Sequence, residues 1–273
     1  MSGLAPNHPP ESEGNREYEA SSEAAEEIQK ALRQDGHRVW GFVIYRCTYA
    51  SDPAWESCLA RIKASVQDWL EDDLVLLEDD RFKLTIMDDA SLFDKASPEI
   101  IRQHFLTWRE TAVHEDQGSA QEIASRLRNP TRASRPGYDW KGRSARYRYF
   151  VAIDEESLQS ILKSKESWAE NNGEPDEAKG WVKLVRANFR RLPTDDEGYF
   201  ENEDYQGEED HEDEDAEDDG DDWSPIDEYT RKDVGWMKAM HDNLMPGFYN
   251  GLRDGENWTS FYERPPGVAE GPL

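Results

Sequence analysis

The stretch His37 to Tyr49, HRVWGFVIYRCTY, is apolar at both parities. Val39, Val43 and Tyr45 alternate with Trp40, Phe42 and Ile44, the pattern of a strand buried on two faces. The period then changes. In SDPAWESCLARIKASVQDWL, the residues Trp55, Leu59, Ile62, Val66 and Trp69 recur at helical spacing, Asp52 is placed to cap, and Pro53 suits the first helical position, which predicts a helix laid over that strand.

RFKLTIMDD, from Arg81, alternates Phe82, Leu84 and Ile86 against Lys83 and Thr85, as a half-exposed edge strand does. SPEIIRQHFLTWRETA predicts a helix capped by Ser97, with Pro98 in its first turn and Ile101, Phe105 and Trp108 as its buried stripe. YRYFVAIDEE is again apolar at both parities, DEESLQSILKSK predicts a helix capped by Asp154, and GWVKLVRANF alternates. With the Ser97 helix set aside, the order is strand, helix, strand, strand, helix, strand. The strands near Phe42 and Phe150 read as central, those near Leu84 and Leu184 as edges. The fold expected is therefore α+β: a ferredoxin-like sandwich (βαββαβ) with a helix and a basic loop inserted between strands 2 and 3. A doubly wound sheet is its rival.

Two further regions flank this core. Residues 1–36 are rich in Glu, Ser, Pro and Asn, so they read as a disordered N-terminal arm, with a short helix allowed over EAAEEIQKALRQ because Ile28 and Leu32 lie four apart. At the other end DVGWMKAMHDNLMPGFYNGL sets Val234, Met237, His241 and Leu244 on one helical face, Pro246 ends or kinks that helix, and Trp258, Phe261 and Tyr262 follow. The reading divides the chain into an arm (1–36), an α+β core (37–191), an acidic disordered loop (192–224), a C-terminal helical segment packed on the core (225–268) and a tail (269–273).

Charge changes the functional picture more than the fold. Sixty Asp and Glu stand against 32 Lys and Arg, a net charge of -28, which repels nucleic acid phosphates and anionic membrane surfaces and attracts basic proteins. A basic protein partner is thus expected, with no membrane and no nucleic acid. The chain has no apolar window long enough to span a bilayer, and MSGLAPNHPPESEGNREYEA lacks the features of a secretory leader, so an intracellular location, cytoplasmic or nuclear, is expected. Cys47 and Cys58 sit in apolar segments and read as buried thiols.

The charge is also unevenly spread. Between Asp195 and Asp222, 18 of 28 residues are acidic and none is basic; its densest part holds Glu208, Glu209, Asp210, Glu212, Asp213, Glu214, Asp215, Glu217, Asp218 and Asp219. As an EF-hand loop starting at Asp215 it would need Glu at the position held by Ile226, so no metal site is assigned. The segment 126–148 has the opposite sign: Arg126, Arg128, Arg132, Arg135, Lys141, Arg143, Arg146 and Arg148 face a single Asp139. It reads as a loop, because Pro130, Pro136 and two Gly interrupt it. The two runs are expected to be able to pair.

Catalytic chemistry is poorly signalled. The six His form no metal-spaced pair, no nucleophile elbow or Gly-rich phosphate loop occurs, and no cofactor is expected. If the chain is an enzyme, His104, Tyr45 and Asp88 are the candidates: an imidazole beside a buried helical stripe, a phenol on a central strand, and a carboxylate ending a strand. For RNA binding by a recognition-motif sheet, Arg146, Phe150 and Val151 fit the signature, but Tyr147, Arg148 and Ile153 do not.

Several phrases, HRVWGFVIYRCTY, RYFVAIDEESLQS, GWVKLV, VGWM, LMPGFY and RPPGV, resemble a family of filamentous-fungal proteins with no assigned activity, over His37 to Val268. That resemblance implies a fungal intracellular domain and no catalytic residues. The function expected is a non-enzymatic protein-interaction module whose acidic loop engages basic partners. The alternative is a cofactor-independent enzyme or small-ligand binder of the dimeric α+β barrel type, which requires a cavity in which polar groups such as Tyr45, His104 and Asp88 converge.

Overall fold

The computed structural model describes residues 23–70, 81–164, 179–190, 223–227 and 229–272. The dense acidic run lies outside them. Helix α1 (Glu23–Asp35) buries Ala25, Ile28 and Leu32 in the main core. The expected arm is thus corrected from Glu23 onward: the Ile28–Leu32 spacing marks a packed helix. It stops at Gly36, whose φ of +68° suits glycine and whose missing Cβ lets the chain pass against the Ile123 carbonyl.

Strand β1 (Val43–Arg46) is fully buried, as its two apolar faces require. Helix α2 (Asp52–Trp69) covers one of them with Trp55, Cys58, Leu59, Ile62 and Val66. Its cap is Ser51, which accepts from the Ala54 amide, so Asp52 stands in the first turn, where its charge complements the helix dipole. Trp69, expected in the buried stripe, is 45% exposed. Strand β2 (Thr85–Met87) is half-buried, the edge strand expected.

A turn of helix, α3 (Ala90–Phe93), then α4 (Pro98–Gln117) and α5 (Ala120–Arg126), cross to the opposite face. There Phe93, Ile101 and Phe105 pack on Val43, Tyr45, Phe150 and Ala152. Ser97 caps α4 and Pro98 opens it, as the sequence predicts, while Trp108 is only half-buried. The short α6 (Ala145–Arg148) leads into β3 (Tyr149–Ile153), buried throughout, and α7 (Glu155–Lys163) follows under a capping box formed by Asp154 and Ser157.

The remaining strands are β4 (Trp181–Arg186), β5 (Trp236–Met240) and β6 (Val268–Ala269), completing one mixed sheet in the order β2-β1-β3-β4-β5-β6. The chain is α+β, with β1 and β3 as adjacent parallel central strands. The edge pairings differ from those of a ferredoxin-like sheet, where the second strand would pair with the third and the fourth with the first. Here β2 runs parallel to β1, and β4 lies antiparallel to β3. Helices on both faces of the parallel trio β2-β1-β3 give this half the character of the doubly wound rival.

The reason lies in the C-terminal segment. Trp236 to Met240, expected as part of a helix, is a strand that pairs antiparallel with β4 and makes β4 an interior strand. The alternation in β4 comes from Lys183, which is not a solvent-facing residue. Its ammonium sits 4.9 Å from the Trp236 ring and 2.7 Å from Asp154. After β5 the chain bends at Leu244–Phe248, with a cis Met245–Pro246 bond, and runs through α8 (Tyr249–Gly251) and α9 (Asn257–Phe261). Leu244, Met245, Phe248 and Trp258 are buried, so the segment does pack on the core, by a strand and short turns rather than one helix. The expected tail also belongs to the fold, since Ala269 is buried and Asn243 donates to the Glu270 and Pro272 carbonyls.

Because β4 and β5 are sheet neighbours, residues 187–235, acidic run included, form the connection of one antiparallel pair. Among the described residues no helix is long and apolar enough to cross a membrane.

Candidate functional site

In open α/β sheets the crevice for a ligand lies beyond the carboxyl ends of parallel strands, where successive connections leave on opposite faces. Here that point is between β1 and β2, whose connections run through α2 on one face and through α3 and α4 on the other. Arg46 ends β1 and occupies it. The guanidinium stacks over Tyr49 at 4.4 Å and Trp55 at 5.3 Å, donates to the Thr48 carbonyl at 3.0 Å, and reaches Asp52 at 2.5 Å and Asp88 at 3.3 Å. Thr48 Oγ1 donates to Glu155, just past β3. Arg46 therefore ties the carboxyl ends of β1 and β2 together, Thr48 adds a link to Glu155 beyond β3, and the crevice is filled by the protein's own side chains.

The candidate residues separate across the sheet. Asp88 turns to Arg46 on the α2 side. Tyr45 and His104 do meet on the α4 side, with the phenol oxygen 2.9 Å from Nδ1, packed edge-on with Phe93. Burial raises the Tyr45 pKa and lowers that of His104, so both are neutral at pH 7. A hydrogen-bonded neutral pair set against phenylalanine rings makes a helix-to-strand contact; the third group that proton transfer would use, Asp88, is on the other face. Cys47 and Cys58 are buried and free, each thiol pushed up to about 12 by desolvation, which keeps them protonated and unreactive.

At the opposite, amino end of the parallel trio lies a buried ionic network that the sequence did not reveal. Arg146 is 0% exposed. It donates to Asp116 at 2.9 Å, to the Gly41 and Lys83 carbonyls at 2.8 and 2.9 Å, and to Thr85 Oγ1 at 2.5 Å. Burial alone would raise the Asp116 pKa, but Arg146 and Lys83 outweigh it, and the carboxyl is held below its ordinary value. Gln117 completes the network. Its amide donates to the Val39 carbonyl and to Tyr147 Oη, and its carbonyl accepts from the Arg38 and Val39 amides.

The basic segment is thus not one loop. Leu127, Ala145 and Tyr147 anchor it in the body, and its charges divide by role. Arg146 is structural. Arg126 donates to the Gly36 and Gln117 carbonyls, Arg148 to the Arg253 carbonyl, and Lys141 to Glu110, while the Arg143 amide donates to Asp35. Arg128, Arg132 and Arg135 are exposed around the turn Pro130–Ser134 and form no ion pair among the described residues. The acidic residues Glu208 to Asp219 fall outside the described residues. Among the described ones no cluster of His, Cys, Asp or Glu is arranged to hold a metal.

Two open grooves lie elsewhere, along α1. A groove of about 340 Å³ is lined by Glu23, Glu27, Trp69, Asn243, Pro246, Gly247, Asn250, Gly251 and Pro272. A second, of about 330 Å³, shares Glu27, Asn250 and Gly251 with it and continues past Lys30, Arg143, Arg253 and Asp254. Neither contains Tyr45, His104 or Asp88. No family model matches the chain, and no match is found among curated proteins or solved structures.

Proposed function

We propose that the chain is a non-enzymatic protein-interaction module in which the acidic run, Asp195 to Asp222, engages basic partners. The observation that carries this reading is the place of the run in the topology. It belongs to the connection between two strands that pair directly with each other, Val185 opposite Trp236, so the six-stranded sheet is complete without it. Phe189, edge-on to Tyr229, and Trp223, beneath the Arg264 guanidinium, anchor the chain on either side of it. A segment of 18 carboxylates that the fold does not need is suited to long-range attraction of cations.

The topology supports one further element. Segment 126–148 leads into β3, and Arg148 accepts from the Ala187 amide just after β4, so the end of the basic segment lies beside the start of the connection that carries the acidic run, and we take the exposed arginines to pair with that run. Such exposed contacts are weak singly, about 0.2–1 kcal/mol each. A strongly basic partner therefore competes with them readily.

The test is titration of fluorescent octalysine into the full chain and into a chain with 195–222 replaced by a short Gly/Ser linker. The reading expects affinity in the full chain that falls steeply with salt and drops at least tenfold on replacement. Equal affinity in the two chains would overturn it.

A further inference from the structure

We infer that the groove beside α1 is a socket for a single basic side chain, a lysine or arginine of the partner. This rests on the reading that the partner is basic, and assigns part of its recognition to the folded body. Three observations converge on it. Trp69, at the end of α2, is 45% exposed, yet it does not hang free: its indole N–H donates to the Asp242 carbonyl at 3.1 Å, which fixes the ring at the groove wall. An anchored, open indole face is the best aromatic surface for a cation.

Glu23 and Glu27 stand opposite, one turn apart on the same side of α1, exposed, and in no ion pair among the described residues. Two carboxylates facing an indole complement an ammonium or guanidinium group by charge and by shape. The third observation is Asn243, 7% exposed. Its amide nitrogen donates to the Glu270 and Pro272 carbonyls, while its Oδ1 accepts from no group, leaving a buried acceptor without a donor just beneath the groove lining. Gly247 makes room for that oxygen, because a Cβ there would come within 1.9 Å of it.

The adjoining trough supplies a contrast. There Lys30, Arg143 and Arg253 stand among Glu27 and Asp254, with Arg253 paired to Asp35, so its carboxylates already face cations of the chain, whereas the Trp69 half has carboxylates and no cation in its lining.

The experiment uses octalysine again, with the linker-replaced chain as background so that the acidic run does not mask a weaker site. W69A and E23Q/E27Q are each expected to weaken the remaining affinity at least tenfold, with circular dichroism unchanged in both and Tm unchanged in E23Q/E27Q, whose side chains are exposed and unpaired among the described residues. Affinity within twofold of the background chain in both variants would overturn the socket, as would absence of measurable binding in the background itself. Neither result touches the acidic run, which is judged by the loss on linker replacement alone. If W69A abolishes binding in the full chain while linker replacement does nothing, the socket stands and the run is overturned as the binding element. E23D/E27D, which keeps the charge, is expected to retain more affinity than E23Q/E27Q; equal loss would show that charge plays no part.

Discussion

Arg146 binds together the three parallel strands at one end of the trio, and Arg46 ties β1 to β2 at the other. Their surroundings are opposite in kind. Arg146 is enclosed, and four of its five bonds go to buried or backbone oxygens, with Asp116 as a counter-ion that is itself buried. Arg46 is buried through its stacking faces, but its counter-ions Asp52 and Asp88 are exposed. The same residue type thus closes one end of the sheet by a desolvated network and the other by aromatic stacking at a wet edge. The cost of losing each follows from what it leaves behind: an uncompensated buried carboxylate in one case, two solvated ones in the other.

The sharpest break of this comparison is R146A, expected to cost about 3–5 kcal/mol by denaturant titration, because Asp116 is stranded and three strands lose a common tie. A loss below that of R46A would overturn the contrast. D116N comes next, at about 2 kcal/mol at pH 7, the value of charge-assisted bonds made neutral. Its effect carries a pH signature. The folded Asp116 carboxyl is held below its ordinary value, so its contribution is present above the unfolded carboxylate pKa and is lost as pH falls through the depressed folded one. The stability gap between the parent and D116N should therefore close on acidification. A gap constant with pH would place the effect in packing instead.

R46A is expected to cost about 1–2 kcal/mol, mostly from lost stacking on Tyr49 and Trp55, and R46K to recover little of it because an ammonium cannot stack as a plane. The smallest effect belongs to the acidic run. Replacing 195–222 by a short linker should leave Tm unchanged or slightly higher, since like charges are removed and loop length costs only about 0.6 kcal/mol per doubling. A clear fall in Tm would mean that the run belongs to the fold.

Much of the central trio was legible because burial on two faces leaves its mark at every position, as in Phe42 to Tyr45 and Phe150 to Ile153. Helix starts at Ser97 and Asp154 were legible because capping is local chemistry. Strand β5 was not. Trp236, Met237 and Met240 fit a helical stripe and a strand equally, and only the partner β4, far away in sequence, decides between them. Nor did sequence distinguish Arg146 from Arg128, since a buried guanidinium differs from a solvated one only by oxygens that other segments supply. Of the candidate site, the Tyr45–His104 contact followed from candidate residues, but the groove at Trp69 did not: its residues come from five places in the chain, and Trp69 itself fits the apolar period of α2.

The bend after β5 brings Pro272 to the same groove as Glu23, at the other end of the described chain. Among the described residues the backbone thus returns to the neighbourhood of its start. A circular permutant that omits residues 1–22, joins the tail to α1 through a Gly/Ser bridge and opens within 195–222 is expected to keep every strand pairing, because neither cut nor splice crosses an element of the sheet. The chain's two termini would then lie in its acidic segment, and the hairpin β4–β5 would meet as partners from opposite ends of the polypeptide.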